Sequence, residues 1–276
     1  MAVLDGTVHV KIEGRDSSSV VVYDRQEEQW SVLCDRGEGI RGCAMVLQGD
    51  QLVLAGGFQK FRRGHDSQSI IAVWDVSSKS WQYPYPPMPT PRYSAMAISC
   101  QHYLIILGGF VGSASVGNAV AVVEVLDTSR SQWYIAKSLI PKPCRLKQCV
   151  VVGDSLYLLG SHINSYRQLI FECSVRTLIS LATSESTATH PTWKTLPDTQ
   201  LQFCSFLTYK DSLLAVGGLR SQRISGIYAY KSDTSEWSKI GDLPTALNNP
   251  ICFLLPSNEL YVLSDNMVYI GTSDSL

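Results

Sequence analysis

The sequence of 276 residues predicts an all-β fold, a β-propeller built from four-stranded antiparallel blades. Three observations support this prediction. Apolar runs of strand length recur along the chain, a pair of glycines ends one run in most repeats, and a tryptophan follows at a constant distance from a second landmark. Four such strands in about 50 residues make up one propeller blade.

The glycine pairs set the period of the repeat. The aligned runs are QLVLAGG ending at Gly57, YLIILGG ending at Gly109, SLYLLGS ending at Ser161, SLLAVGG ending at Gly218 and ELYVLSD ending at Asp265. Their ends are 52, 52, 57 and 47 residues apart. We expect glycine here because the backbone turns and a neighbouring blade approaches closely. A phosphate-binding loop is not expected, since no helix pattern and no Lys-Ser/Thr pair follow.

A tryptophan stands seven residues after an aromatic residue or a leucine in four of the repeats. The pairs are Tyr23 and Trp30, Trp74 and Trp81, Leu126 and Trp133, and Tyr230 and Trp237. An acidic residue follows the first member of the pair three times, as Asp24, Asp75 and Asp127, and Lys231 replaces it once. We expect the tryptophans to fill space between blades and the aspartates to accept backbone hydrogen bonds in the following turn.

This pattern resembles the kelch repeat, and the resemblance covers nearly the whole chain. It implies one kelch-type β-propeller over residues 1–276, with six blades at approximately 1–38, 39–90, 91–143, 144–198, 199–245 and 246–276 and with incomplete closure strands near the termini. Five blades remain an alternative if the last blade takes its outer strands from the N-terminus. The residues expected to frame the repeats are Gly56, Gly57, Gly108, Gly109, Gly217, Gly218, Trp30, Trp81, Trp133, Trp193 and Trp237.

Composition and charge argue against several classes of function. The formal net charge of −1 and the pI of about 6.5 do not suit a basic domain that binds nucleic acid. No apolar run reaches the ~20 residues of a membrane helix, and residues 1–10 lack the pattern of a signal peptide, so we expect no membrane association. The eight cysteines lack metal-binding spacings and lie largely in apolar runs, which predicts reduced thiols and a cytoplasmic location.

The alternation of strand direction places the loops between second and third strands on the same face as the crossovers between blades. The residues of this face that we expect to contact a partner are Lys60, Phe61, Arg62, Arg63, His65, Arg41, Arg92, Tyr93, Arg145, Tyr166, Arg167, Arg220 and Arg223. Arginines with aromatic rings are typical of interaction surfaces, and the excess of cations predicts a protein or peptide partner with an acidic or phosphorylated segment. The alternative is that these loops are solvated and only keep the propeller soluble. We expect the Ser/Thr-rich insertion at residues 180–191 to be a surface loop.

The sequence favours a non-catalytic interaction module without a cofactor or metal, monomeric unless an oligomerising domain is attached. The kelch resemblance implies a substrate-recruiting or scaffold role within a larger protein. The alternative from another class is a metal-dependent oxidase or lyase on a kelch-like propeller. Of the five histidines, His65 and His162 fall in loops of the candidate face, and neither G-x-S-x-G nor H-E-x-x-H occurs.

Overall fold

The computed structural model describes the backbone of residues 2–4, 7–13, 17–24, 27, 29–38, 40–61, 64–75, 77–112, 118–141, 144–163, 168–183, 193–219, 221–254, 259–264 and 267–272. Among these, only the backbone is described for residues 2–4, 7–13, 17–18, 35–38, 60–61, 64–65, 137–139, 264 and 267–272. By its contacts the chain forms two compact units, unit 1 with residues 1–146 and 175–191 and unit 2 with residues 147–174 and 192–276. The assignment of the whole chain to one domain stays a prediction.

Unit 1 begins with two four-stranded sheets whose strands neighbour one another in chain order. The first contains β1 (Ala2–Leu4), β2 (Thr7–Glu13), β3 (Ser17–Asp24) and β4 (Gln29–Glu38). The next strands are β5 (Ile40–Arg41), β6 (Ala44–Gln48), β7 (Gln51–Ala55), β8 (Phe58–Phe61), β9 (Gly64–Ser67), β10 (Ile71–Asp75) and β11 (Ser80–Gln82). Strands β6, β7, β10 and β11 form the second sheet, while β5, β8 and β9 form a small separate sheet.

The third sheet of unit 1 repeats this order. The strands are β12 (Met96–Cys100), β13 (Tyr103–Leu107), β14 (Phe110–Val111), β15 (Asn118–Ala119), β16 (Val122–Asp127) and β17 (Gln132–Leu139). Strands β12, β13, β16 and β17 form the sheet, and β14 pairs with β15 in the loop between its second and third strands.

The rest of the chain forms three further sheets. The elements are β18 (Cys144–Val152), β19 (Ser155–His162), β20 (Gln168–Ser174), α1 (Val175–Thr183), β21 (Lys194–Thr195), β22 (Ser205–Tyr209), β23 (Ser212–Val216), β24 (Ile224–Lys231), β25 (Glu236–Leu247), β26 (Ile251–Leu254), β27 (Glu259–Ser264) and β28 (Met267–Thr272). Strands β18–β21 and β22–β25 form four-stranded sheets, and β26–β28 form a sheet of three described strands. These sheets have the strand order predicted for propeller blades, while the total of six blades stays a prediction.

The second strands β7, β13 and β23 are deeply buried. Four consecutive residues of β13, Leu104 to Leu107, have no exposed surface, and the last four residues of β7 and β23 are buried as well. The outer strand β25, by contrast, has mostly exposed and half-buried residues. Burial on both faces explains why the second strands are continuous apolar runs in the sequence, while the outer strands carry polar residues.

The seven-residue spacing to tryptophan proves to be a direct cross-strand pair in a hairpin. Trp74 lies opposite Trp81, with ring centroids 5.3 Å apart, and the other three pairs have the same register. In the hairpin turn, Asp75 Oδ1 accepts hydrogen bonds from the backbone N–H groups of Ser77 (2.8 Å) and Ser78 (3.3 Å). The landmarks of the sequence are therefore the third and fourth strands of a blade and the turn between them.

The glycine pairs lie where backbone approaches most closely. An added Cβ on the second glycine would come within 2.8 Å of a crossover carbonyl, the pairs being Gly57 with Arg41, Gly109 with Tyr93 and Gly218 with Gln202. Gly56 is the tightest position, because its Cβ would lie 2.3 Å from the carbonyl oxygen of Arg92, and its φ of +65° is left-handed. The prediction of a close backbone approach is confirmed at these positions.

The insertion after β20 differs from the expected surface loop. Residues 175–183 form the helix α1, which packs against β17 with Val175 and Leu178 buried, so residues 180–183 of the predicted loop are helical. Residues 184–192 lie outside the described residues. Within the part of the chain that is described, no helix combines the length and hydropathy needed to span a membrane.

We predict that Gly56→Ala lowers the free energy of unfolding far more than Gly49→Ala. Both glycines have φ near +60°, but nothing lies within 4 Å of an added Cβ at Gly49. Gly49→Ala should therefore cost about 1 kcal/mol of backbone strain, whereas Gly56→Ala must also displace a backbone carbonyl and should cost at least about 3 kcal/mol. Urea denaturation followed by tryptophan fluorescence measures both, and equal losses would contradict the close packing at Gly56.

Candidate functional site

Arg92, expected on the surface, is buried in unit 1 with no exposed area. Its Nη2 lies 3.0 Å from Oε1 of Glu124, which is equally buried. Its Nη1 donates to the carbonyls of Gly108 (3.2 Å) and Val122 (3.0 Å), and its Nε donates to the Thr90 carbonyl (3.2 Å). Burial lowers the pKa of Arg92, and the charge of Glu124 opposes this shift. The expectation that Arg92 contacts a partner is corrected: its guanidinium links segments of the interior.

Tyr93 is also buried, as the middle of an aromatic row in unit 1. Its ring centroid lies 5.2 Å from that of Phe58 and 5.8 Å from that of Phe110. The exposed Arg145 ends the row, with Cζ 5.4 Å from the centroid of Phe110. Burial raises the pKa of Tyr93, while the charge of Arg145 opposes the shift. The row therefore places the Arg145 guanidinium over the ring of Phe110, and the buried ring of Tyr93 packs against Phe110.

The other predicted contact residues are placed as follows. Arg41 is half-buried in β5. Arg223 is exposed directly before β24, and its backbone forms an isolated antiparallel β-bridge with Leu219. The backbone of Lys60, Phe61 and His65 lies in β8 and β9, but their side chains are outside the description. Arg62, Arg63, Tyr166, Arg167 and Arg220 lie outside the described residues.

Unit 2 contains a pocket that the sequence did not predict as a site. It is a narrow crevice of about 20 Å³, which has room for about one water molecule. Its lining residues are Lys147, Leu159, Gly160, Gln168, Gln202, Phe203 and Cys204. Among these seven described residues, Lys147 is the one that carries a charge at neutral pH. The pocket therefore combines apolar surface, two side-chain amides and a single cation.

Phe203 forms one wall of the pocket in an unusual backbone conformation. Its φ is +56°, a left-handed value that is rare for a bulky side chain, and its side chain is 40% exposed. The backbone N–H of Asn249 donates to the Phe203 carbonyl (3.0 Å), which ties this conformation to the next sheet of unit 2. Nζ of Lys147 lies 4.6 Å from the centroid of the Phe203 ring. Strain of this kind is tolerated where the surroundings fix it, and it concentrates at functional sites.

Gln168 is held rigidly at the side of the pocket. Its Nε2 donates to the Leu201 carbonyl (2.8 Å), and its Oε1 accepts from the Thr199 hydroxyl (2.7 Å). Cys204 next to it is buried, and burial raises its pKa to about 11, so its thiol is protonated at neutral pH. The Cys204 thiol is therefore a poor nucleophile at neutral pH.

Sequence reasoning missed Phe203, although a signal for it existed. Phe203 stands 15 residues before Gly218, and Gly42 and Ser94 stand 15 residues before Gly57 and Gly109. All three have positive φ, and the Ser94 N–H donates to the Gly42 carbonyl (2.7 Å), as Asn249 does to Phe203. The alignment of the repeats therefore matches Phe203 with Gly42, but only the structure shows that the position has a positive φ.

The described residues offer little for metal chemistry. His162 is half-buried at the end of β19, and Nε2 of His102 lies 4.0 Å from Oδ2 of Asp127. Within the described ranges, no three His, Cys, Asp or Glu side chains are grouped closely enough to hold a metal ion. The side chain of His65 is not among those described.

Two comparisons with known proteins agree with this architecture. A family model described as "KLHDC2/KLHL20/DRC7 Kelch-repeats domain" matches residues 42–270. A solved structure described as "Structure of YjhT" is similar with a TM-score of 0.70 and 13% sequence identity, over 98% of this chain and 96% of that chain, which shows the fold alone. No curated protein matches the sequence. Together they confirm the predicted kelch-type β-propeller fold.

We predict that Arg92→Met destabilises the fold by about 3–5 kcal/mol, because it leaves the Glu124 carboxylate buried without its partner. The double variant Arg92→Met/Glu124→Met should lose less than the sum of the two single variants, since it removes both buried charges. The control Arg130→Met alters an exposed side chain and should leave stability nearly unchanged. Chemical denaturation of the four variants tests this, and strictly additive losses would argue against the ion pair.

Proposed function

Because the chain belongs to the family of the KLHDC2/KLHL20/DRC7 kelch-repeats domain, whose propeller fold supports a protein-interaction module in general, we propose that it is a non-catalytic module of this kind. It binds an acidic or phosphorylated segment of a partner protein on the face formed by the strand 2–3 loops and the crossovers. In the cell it acts as a scaffold or substrate-recruiting domain. The eight free cysteines, six of them buried, suit the reducing environment of the cytoplasm.

The observation that carries this proposal is the pocket of Lys147 and Phe203. Lys147 lines the pocket and is exposed, so its charge attracts an anionic group of a partner toward this surface. The exposed Phe203 ring supplies apolar area beside the charge, and its strained backbone holds it in place before a partner arrives. A prearranged contact of this kind reduces the entropy lost on binding.

Unit 1 supports the same chemistry independently. Arg145 is exposed over the ring of Phe110, which packs on Tyr93, so its guanidinium is presented on a rigid base. Arginine binds carboxylate and phosphate groups through paired hydrogen bonds. Arg145 therefore offers a cation to an acidic or phosphorylated group of a partner segment.

We predict that Lys147→Glu abolishes capture of the partner from a cell lysate, whereas Lys210→Glu does not. Lys210 is a matched control, because its Nζ also stands over a ring, 4.8 Å from the centroid of Tyr209, in the turn between the first and second strands of its sheet. That turn lies at the opposite end of the strands from the pocket. Quantitative mass spectrometry of the captured proteins compares the variants, with melting temperatures as the folding control. Equal capture by both variants would exclude the pocket.

The chemistry of the captured partner is tested on synthetic peptides from its sequence. Peptides with Asp and Glu replaced by Asn and Gln should bind more weakly, and binding of the parent peptide should weaken as salt concentration rises. Phosphatase treatment before capture distinguishes a phosphorylated from a carboxylate-bearing segment. Binding that is indifferent to salt, to amide replacement and to phosphatase would contradict an anionic partner.

The non-catalytic character of the module leads to a separate prediction about metal content. Elemental analysis of the purified protein should find copper and iron well below one per chain. A stoichiometric metal that is lost in His162→Ala would instead favour an oxidase or lyase.

A further inference from the structure

Two exposed apolar side chains lie on neighbouring segments of unit 2. Phe203 is 40% exposed and Ile251 is 45% exposed. The Asn249 N–H donates to the Phe203 carbonyl (3.0 Å), on one side of Ile251. On its other side, the Cys252 N–H donates to Oγ of Ser205 (3.1 Å). These two hydrogen bonds hold the segments of Phe203 and Ile251 beside each other.

The residues next to this apolar pair are buried. Cys204 follows Phe203 along the chain, and Pro250 and Cys252 flank Ile251. Single exposed apolar residues are ordinary on a protein surface, whereas neighbouring ones indicate an interaction site. Because the backbone beneath this pair is packed and hydrogen-bonded, it loses little freedom when a partner binds.

The fold itself does not need a phenylalanine at position 203. Gly42 and Ser94 occupy the equivalent positions in unit 1, with φ of +63° and +51°, so the same turn forms there without a large side chain. A phenylalanine with φ of +56° strains the backbone, and the exposed part of its ring contributes no hydrophobic stabilisation. Contact with a partner accounts for the ring better than the stability of the fold does.

Lys147 lies beside the apolar pair and carries a charge. It is exposed, and its Nζ lies 4.6 Å from the centroid of the Phe203 ring. The neighbouring Gln148 joins this strand to that of Phe203, because its Oε1 accepts a hydrogen bond from the Phe206 N–H (2.8 Å). One surface of unit 2 thus combines a cation with two apolar side chains. We call Lys147, Phe203 and Ile251 the crossover patch.

We propose that the crossover patch recognises a partner segment in which a large apolar residue stands within two positions of the acidic or phosphorylated residue. The anionic group lies against Nζ of Lys147, and the apolar side chain packs on Phe203 and Ile251. In an extended segment, side chains two residues apart point to the same side at a distance of about 7 Å. That distance reaches from Lys147 past the centroid of the Phe203 ring. The inference rests on the proposed function and adds an apolar requirement to the anionic one.

The experiment uses a library of short synthetic peptides with one fixed aspartate or phosphoserine and random residues elsewhere. A parallel library carries asparagine or unmodified serine at the fixed position. Peptides retained by the intact chain are sequenced, and the affinities of the enriched ones are measured by fluorescence polarisation. We expect leucine, isoleucine, methionine or phenylalanine to be enriched within two positions of the fixed anion, and the neutral library to bind more weakly.

Phe203→Gly should abolish the apolar enrichment and lower the affinity of the enriched peptides at least about fivefold. Glycine suits the positive φ of this position, so the variant removes the ring without adding strain. Ile251→Ser is a second test and should weaken the same peptides. Ile240→Ser is the matched control, since Ile240 is 40% exposed in β25 of the same unit, and it should bind like the parent. Melting temperatures show that the variants are folded.

The outcomes distinguish this inference from the proposed function. Enrichment around the anion without an apolar preference, or unchanged affinity of both Phe203→Gly and Ile251→Ser, overturns the inference and leaves the proposed function in place. Equal binding of the charged and neutral libraries, or binding of neither, overturns the proposed function and the inference with it. A dimer in analytical ultracentrifugation that Phe203→Gly dissociates means that a second copy of the chain covers the crossover patch, and it also overturns the inference.

Discussion

The close approach of the Arg92 backbone to Gly56 and Gly57 is the constraint on which the arrangement of unit 1 depends. The Gly57 N–H donates to the Arg92 carbonyl (2.8 Å), and that carbonyl occupies the space of a Cβ on Gly56. The Arg92 side chain meanwhile pairs with Glu124 and bonds the Gly108 carbonyl in the next sheet. Arg92 thus contacts the second sheet of unit 1 through its main chain and the third sheet through its side chain. This is possible because Gly56 has no Cβ to displace the Arg92 carbonyl.

Packing at the crossovers also explains where binding features can arise. Hydrogen bonds between successive crossovers fix left-handed backbone at Gly42, Ser94 and Phe203. Where that position carries a phenylalanine, its ring is held partly exposed against Lys147. The interiors of the sheets provide rigidity, and the crossovers between them provide variable surfaces.

Much of the blade could be predicted from the sequence because its signals are local. Trp74 and Trp81 are opposite each other in one hairpin, and Asp75 closes the turn between them, so their spacing is set by a few residues of chain. The helix α1 could not be predicted in the same way. Its last four residues fall in the predicted Ser/Thr-rich insertion, and its burial depends on β17, which is distant along the chain.

The sequence by itself determined the period of the repeat, the strands, the position of the glycine pairs and the excess of cations in the crossovers. Only the tertiary structure decided which of those cations face solvent. Arg92 precedes β12 and Arg145 lies at the start of β18, yet Arg92 has Glu124 and the distant carbonyls of Gly108 and Val122 within reach and is buried, whereas Arg145 lies over Phe110 and is exposed. A buried charge is stable only with its partners around it, and those partners come from residues more than 15 positions away, so no local pattern identifies them.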